Sequence, residues 1–322
     1  MFGKKRLVIV ELRGRLGNQL FMFAAGYALA KKFNAELAFH SYLIPAEDLL
    51  LPKLIGHNYR EVTNNELLKV GRFDFRLLPH ATSQNSVSNV TPQKLFGRVT
   101  NVIAQKLVGK VRRWQKRKPA TFKEKNAFQM DTDILEVDFP VYLKGYFQNE
   151  GYFIDHGQEI VGAINLLSKT TKPDLNLQQP IIGISFRRGD YNALNVTLPI
   201  QYYDKALFYL MEKVNSGTLL LFGDDYDFLE LMKDRWSNHH KVLNALNFGS
   251  DPVSQLFLLA ECQHCIISNS SFAWWGALLG DHKQLDPDRV VIAPGNWLGE
   301  DSNHCIPDRW IKVSSERLPI SI

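Results

Sequence analysis

The sequence predicts an α/β protein made of two units, each built on a parallel sheet. Three observations lead there. Short apolar runs such as Leu7 to Val10 and Ile181 to Phe186 alternate with stretches whose apolar residues recur at helical spacing. The first run passes through a glycine-bearing turn straight into such a stretch, which is how a doubly wound unit opens. A polar segment from Ser168 to Gln179, carrying Pro173, divides the chain into units at 1–168 and 169–322.

In order along the chain, Leu7 to Leu12 reads as the first strand and Arg13 to Gln19 as the glycine turn. Leu20, Ala24, Tyr27 and Ala28 then mark a helix, and Ala35 to His40 the next strand. His80 to Pro92 is rich in Ser, Asn, Thr and Gln and reads as a loop. In the second unit, strands are expected at Ile181 to Phe186, Thr218 to Phe222, Cys265 to Ile267 and Val290 to Ala293. Helices are expected at Gln201 to Val214, Asp225 to Trp236 and Phe272 to Leu279. Another opens at Asp251 and Pro252, a good N-cap and first-turn pair, and runs to Cys262.

Composition sets the outer limits. The chain has 322 residues, 45% hydrophobic and 22% charged, enough for a substantial core. A net charge of +5 does not by itself imply nucleic acid. Lys4, Lys5 and Arg6 precede only a short apolar run, so no signal peptide is read there, and no run approaches the ~20 residues of a membrane span. Cys262, Cys265 and Cys305 form an odd, sparse set, which suits a reducing compartment. Cys262-Gln263-His264-Cys265 has the spacing of half a zinc site. It lacks a second pair, so buried thiols beside a strand are expected.

The stretch from Lys94 to Lys118 carries nine Lys and Arg residues and no Asp or Glu, with Leu95, Val99, Val102, Leu107 and Val111 spaced for one helical face. Such a helix suits an anionic membrane surface, and equally a surface helix docked on the core with a solvated basic face. No nucleic-acid module or stacking platform accompanies the charge, so nucleic acid is not expected.

Three strands of the second unit end in polar clusters: Ser185 to Asp190, Asp224-Asp225 and Asn269-Ser270-Ser271. In an open parallel sheet such ends face one crevice. Arg187 and Arg188 suit phosphate oxygens, because guanidinium is planar, permanently charged and bidentate. Ser270 and Ser271 stand where a helix begins, and free N–H groups there favour an anion. Asp224 or Asp225 can accept hydrogen bonds from a ribose or base, or simply cap the next helix. The set matches a nucleoside diphosphate. It contains neither a phosphate-binding loop of the G-x-x-x-x-G-K-[ST] type nor a G-x-G-x-x-G turn.

These residues also resemble a known family. Ser185-Phe186-Arg187-Arg188-Gly189-Asp190-Tyr191 resembles the H-x-R-R-G-D-Y motif of α-1,2-fucosyltransferases, glycosyltransferase family 11. Ser268 to Ala277 is similar to that family's A-N-S-[ST]-F-S-W-W-G-A block, and Gly14 to Phe21 to its G-x-L-G-N-Q-[ML]-F. Gly145-Tyr146-Phe147-Gln148 and Phe222-Gly223-Asp224-Asp225 are similar to two further segments, all in family order. Ser185 stands where the family has His, which bears on one nucleobase contact.

The resemblance implies a GT-B fold, two Rossmann-like domains facing a cleft, with the acceptor sugar on the amino-terminal side and GDP-fucose on the other. It implies inverting transfer of L-fucose to the 2-hydroxyl of an acceptor, typically a terminal galactose, without metal or other cofactor. Arg187, then Arg188, then the Ser270-Ser271 helix start would stabilise the leaving diphosphate. Ser185, Asp224, Asp225 and Asn269 would complete the donor site. Asn18 and Gln19 would face the cleft from the other domain. Asp190 is the candidate base, or a group that orients Arg188. A cytoplasmic enzyme is expected, acting on a surface or lipid-linked glycan, with residues 94–118 holding it at the membrane.

Overall fold

The computed structural model describes residues 6–56, 59–64, 66–67, 120–165, 179–214, 216–284 and 287–315. The loop expected at 80–92, the basic stretch at 94–118 and most of the linker at 168–179 lie outside the described residues.

The first unit contains β1 (Leu7–Glu11), α1 (Leu16–Phe33), β2 (Glu36–His40), α2 (Leu51–Ile55), β3 (Ala120–Lys123), β4 (Val141–Lys144) and α3 (Gly157–Asn165). Its strands are all parallel, in the order β2-β1-β4-β3, and Val10 lies opposite both Phe39 and Leu143. Val8, Ile9 and Val10 are wholly buried, as a strand covered on both faces must be. α1 is buried nearly all round, which is why its apolar residues do not keep to one stripe. It ends at Asn34 in the left-handed conformation (φ 49°), with Lys31 and Lys32 in the last turn favoured by the helix dipole.

The second unit contains β5 (Ile181–Ser185), α4 (Gly189–Ala193), α5 (Ile200–Met211), β6 (Thr218–Phe222), α6 (Tyr226–Trp236), β7 (Lys241–Asn244), α7 (Pro252–Glu261), β8 (His264–Ile266), α8 (Ser271–Gln284), β9 (Val291–Pro294) and β10 (Ile311–Val313). Six parallel strands run in the order β10-β9-β8-β5-β6-β7. Numbered from β5, this is the 3-2-1-4-5-6 order of a doubly wound Rossmann sheet read from its other edge. The order reverses between β5 and β8, and a ligand crevice belongs at the carboxyl ends of those two strands. Two Rossmann-like units with parallel sheets facing a cleft are thus the observed architecture.

The two units share a core. α1 packs on α8, with the Phe21 ring 4.5 Å from Trp274 and 5.3 Å from Trp275, and Phe153 stacked on Trp275 at 5.5 Å. Both tryptophans are fully buried. One continuous apolar cluster joins the first sheet to one face of the second, and a separate cluster fills the other face. Arg309 ties the units at the surface, bidentate to Glu150 at 2.7 and 2.9 Å and bonded to Asp281 at 3.1 Å. Among the described residues no helix is long and apolar enough to cross a membrane. Cys262, Cys265 and Cys305 are free, buried thiols, and burial pushes all three above the usual thiol range.

Candidate active site between the two sheets

A cavity of about 860 Å³ opens between the units at the switch point. Two helix starts bound it. α1 begins on one side at Gly14 to Asn18, and α8 on the other at Ser270 to Phe272. They come into contact at Gly17, where an added Cβ would overlap the Phe272 backbone nitrogen and lie 2.7 Å from the Ser271 hydroxyl. Only glycine permits this approach. The N-cap of α1 is Arg15, which supplies no side-chain cap, so the first N–H groups of that helix are left to other acceptors. Two positive helix ends therefore converge on one space.

β5 carries Ser185 and Arg187 to the cavity wall, β6 carries Asp224, and the turn after β8 carries Asn269, Ser270 and Ser271. Arg187 reaches Asp224 at 2.7 Å and Asp190 at 2.6 Å, and its guanidinium lies 5.3 Å from the Tyr191 ring centre. The other Asp224 oxygen accepts from the backbone N–H groups of Arg188 (2.9 Å) and Gly189 (3.3 Å), which fixes the start of α4. A Cβ on Gly189 would sit 2.7 Å from Asp224, so this close approach also needs glycine. Tyr191 donates to the Asn269 carbonyl at 3.2 Å, and burial raises its pKa, keeping the phenol a donor. The Asn269 amide donates to the Val196 and Trp297 carbonyls, pinning the loop after β8. Asn18 accepts from Gln148 at 2.8 Å, and both line the cavity.

The structure places four of the expected residues differently. Arg188 does not line the cavity. Its guanidinium lies 4.0 Å from the Phe228 ring centre and pairs with Asp225 at 3.3 Å, because consecutive side chains leaving a strand point to opposite sides. Asp225 is likewise turned away. It caps α6 through the Phe228 N–H and holds Arg188. Gln19 is fully buried behind the cavity wall. Its Nε2 donates to the Gly14 and Asp48 carbonyls and its Oε1 accepts from the Leu50 and Leu51 N–H groups, leaving nothing for a ligand. Asp190 orients Arg187 rather than Arg188.

Arg15, Asp48, Phe128, Tyr146 and Tyr226 also wall the cavity, and none of them was an expected site residue. Arg15 carried a signal, since it lies inside the glycine turn. Tyr146 and Tyr226 are 37% and 53% exposed, large aromatic faces open to a ligand. Tyr146 is held by Glu124, whose Oε2 accepts from the N–H groups of Tyr146 (2.8 Å) and Phe147 (3.0 Å). Burial pushes the Glu124 carboxyl up to about 7. Among the described residues no three His, Cys, Asp or Glu side chains converge as a metal-holding group.

The fold and cavity define a two-unit α/β protein with its ligand crevice at a topological switch point. Residues 108–304 match the model of glycosyl transferase family 11, and the chain belongs to that family and is a glycosyltransferase. It is 23% identical to an alpha-1,2-colitosyltransferase of Escherichia coli, over 95% of this chain and 99% of that one. It is also 23% identical to the O-antigen biosynthesis glycosyltransferase WbnK of Escherichia coli, over 94% and 99%. The solved fucosyltransferase NodZ from Bradyrhizobium aligns over 86% of this chain and 93% of that one, at 13% identity and a TM-score of 0.42.

Proposed function

We propose that the protein transfers L-fucose from GDP-fucose to the 2-hydroxyl of an acceptor sugar, with inversion at the anomeric carbon. The observation that carries the reading is the meeting of the α1 and α8 starts with Arg187 and Arg15 around one cavity. A diphosphate seated there would find helix N–H groups on two sides and guanidinium groups on two more. As the bond from the anomeric carbon to the phosphate oxygen breaks, its electron pair stays on the diphosphate. Positive groups fixed beforehand stabilise that growing charge without a metal. Arg187 is held for this by Asp190 and Asp224. The nucleoside would extend toward Ser185 and Tyr226, and the acceptor would enter past Tyr146 and Phe128.

The resemblance to α-1,2-fucosyltransferases supports the donor and the linkage. The relative named for O-antigen biosynthesis supports a surface-glycan acceptor, and the resemblance supports galactose at its terminus. Residues 94–118 would give peripheral contact with an anionic membrane. A second reading, transfer of a colitosyl group by the same site, is favoured by the name of the first relative. The test is acceptor-dependent release of the nucleoside diphosphate in EDTA, with GDP-fucose, GDP-mannose and UDP-galactose as donors and lactose as acceptor, and NMR of the product. A 2-linked fucosyl product from GDP-fucose alone supports the reading. Turnover only with another donor, or a different linkage, rejects it.

A further inference from the structure

We infer that Asp48 is the general base that takes the proton from the acceptor hydroxyl. The inference rests on the fucosyl-transfer reading above. Three carboxylates line the cavity among the described residues: Asp48, Asp190 and Asp224. No described histidine lines it. Asp190 and Asp224 are both bonded to Arg187, and Asp224 accepts two backbone N–H groups as well. Protonating either would strip Arg187 of the partner that aims it. Asp48 stands on the opposite wall, in the unit expected to receive the acceptor. Its carboxylate makes no hydrogen bond or ion pair with any described residue.

Asp48 is nonetheless not a loose surface acid. The buried Gln19 reaches across from α1 and takes the Asp48 carbonyl at 2.7 Å together with the Leu50 and Leu51 N–H groups at 3.1 and 3.0 Å. Three of the four bonds made by this buried amide fix the backbone from Asp48 to Leu51 and hold Asp48 at the cavity rim. Gln19 is then a positioning residue. The chemistry balances. The acceptor oxygen bonds to the anomeric carbon, the bond to the diphosphate breaks with its pair on GDP, and the hydroxyl proton passes to the Asp48 carboxylate and on to water.

Azide separates base catalysis from every other role, because it attacks the anomeric carbon with no proton to lose. Wild type, Asp48→Asn, Asp48→Ala and Asp190→Asn would be compared with GDP-fucose plus lactose, and with GDP-fucose plus azide. Removing a general base slows proton-dependent transfer by roughly 100- to 10,000-fold. Both Asp48 variants should lose lactose transfer on that scale, keep wild-type GDP-fucose binding by thermal shift, and form fucosyl azide at the wild-type rate. Asp190→Asn should slow both reactions together, since Arg187 serves the leaving group in each. Unchanged lactose transfer in Asp48→Asn, or parallel loss of both reactions, overturns the assignment. Absence of GDP-fucose binding in the wild type overturns the reading beneath it.

Discussion

Gly17 at the start of α1 sits against Ser271 and Phe272 at the start of α8, with no room for a side chain between them. This contact brings two helix N-termini to one cavity. Gly17→Ala should push the helices apart. Overpacking of this kind costs about 1–3 kcal/mol. Denaturant unfolding should show that loss, and GDP-fucose affinity should fall beyond it, because both helix starts move away from the diphosphate. Wild-type affinity in a folded Gly17→Ala protein would show that the paired helix starts do not hold the donor.

Arg187 and Arg188 are adjacent in sequence and differ in role. Arg187→Ala should lower turnover roughly 100- to 1,000-fold, as loss of a donor to the developing charge does. Arg188→Ala removes a cation lying over Phe228 and should cost about 1 kcal/mol of stability, with donor affinity close to wild type. Steady-state kinetics of the two variants with saturating acceptor checks the contrast. Equal losses of turnover would place both arginines at the donor.

Gln19→Leu should be among the more damaging isosteric changes in the protein. It leaves the Gly14 and Asp48 carbonyls and the Leu50 and Leu51 N–H groups without their partner. Unsatisfied buried groups cost about 1–3 kcal/mol each, and relaxation of the loop toward water recovers part of it. A net loss of roughly 3 kcal/mol in equilibrium unfolding is expected, together with slower acceptor-dependent turnover.

Glu124 should make stability fall as pH rises through neutrality. Its pKa goes from 4.5 up to about 7 in the folded chain, chiefly because burial disfavours the charged form. The folded protein therefore keeps a proton that the unfolded chain releases between those values. The stability it confers is complete below the lower value and is lost as pH rises through the upper one, by roughly 3 kcal/mol in all. Glu124→Gln should flatten this dependence. Denaturant midpoints of both proteins across the window check it, and identical pH slopes would contradict it.

Much of the second unit was legible in the sequence. β5, β6 and β8 are apolar runs stopped by polar clusters, and parallel packing makes those clusters converge. The tryptophans of α8 are core. β3, β7 and β10 escaped notice because they are edge strands of three or four residues, and β4 because its central run, Val141 to Lys144, is equally short. α8 runs on to Gln284, beyond the expected Leu279, because its later turns pack on α7. Which arginine faces the cavity depends on the turn after β5, and no composition rule gives that. Asp48 had no local signal at all. It is brought to the rim by Gln19, 29 residues earlier in the chain.

The most direct test of the donor site is the thermal shift of the wild type and Arg187→Ala with GDP-fucose, GDP-mannose or UDP-galactose, all in EDTA. A ligand at 100 times its dissociation constant stabilises a fold by about 2.7 kcal/mol. GDP-fucose should give a shift that Arg187→Ala abolishes, and UDP-galactose should give none. A shift that survives Arg187→Ala, or one that appears only when a divalent metal replaces EDTA, would contradict that donor site.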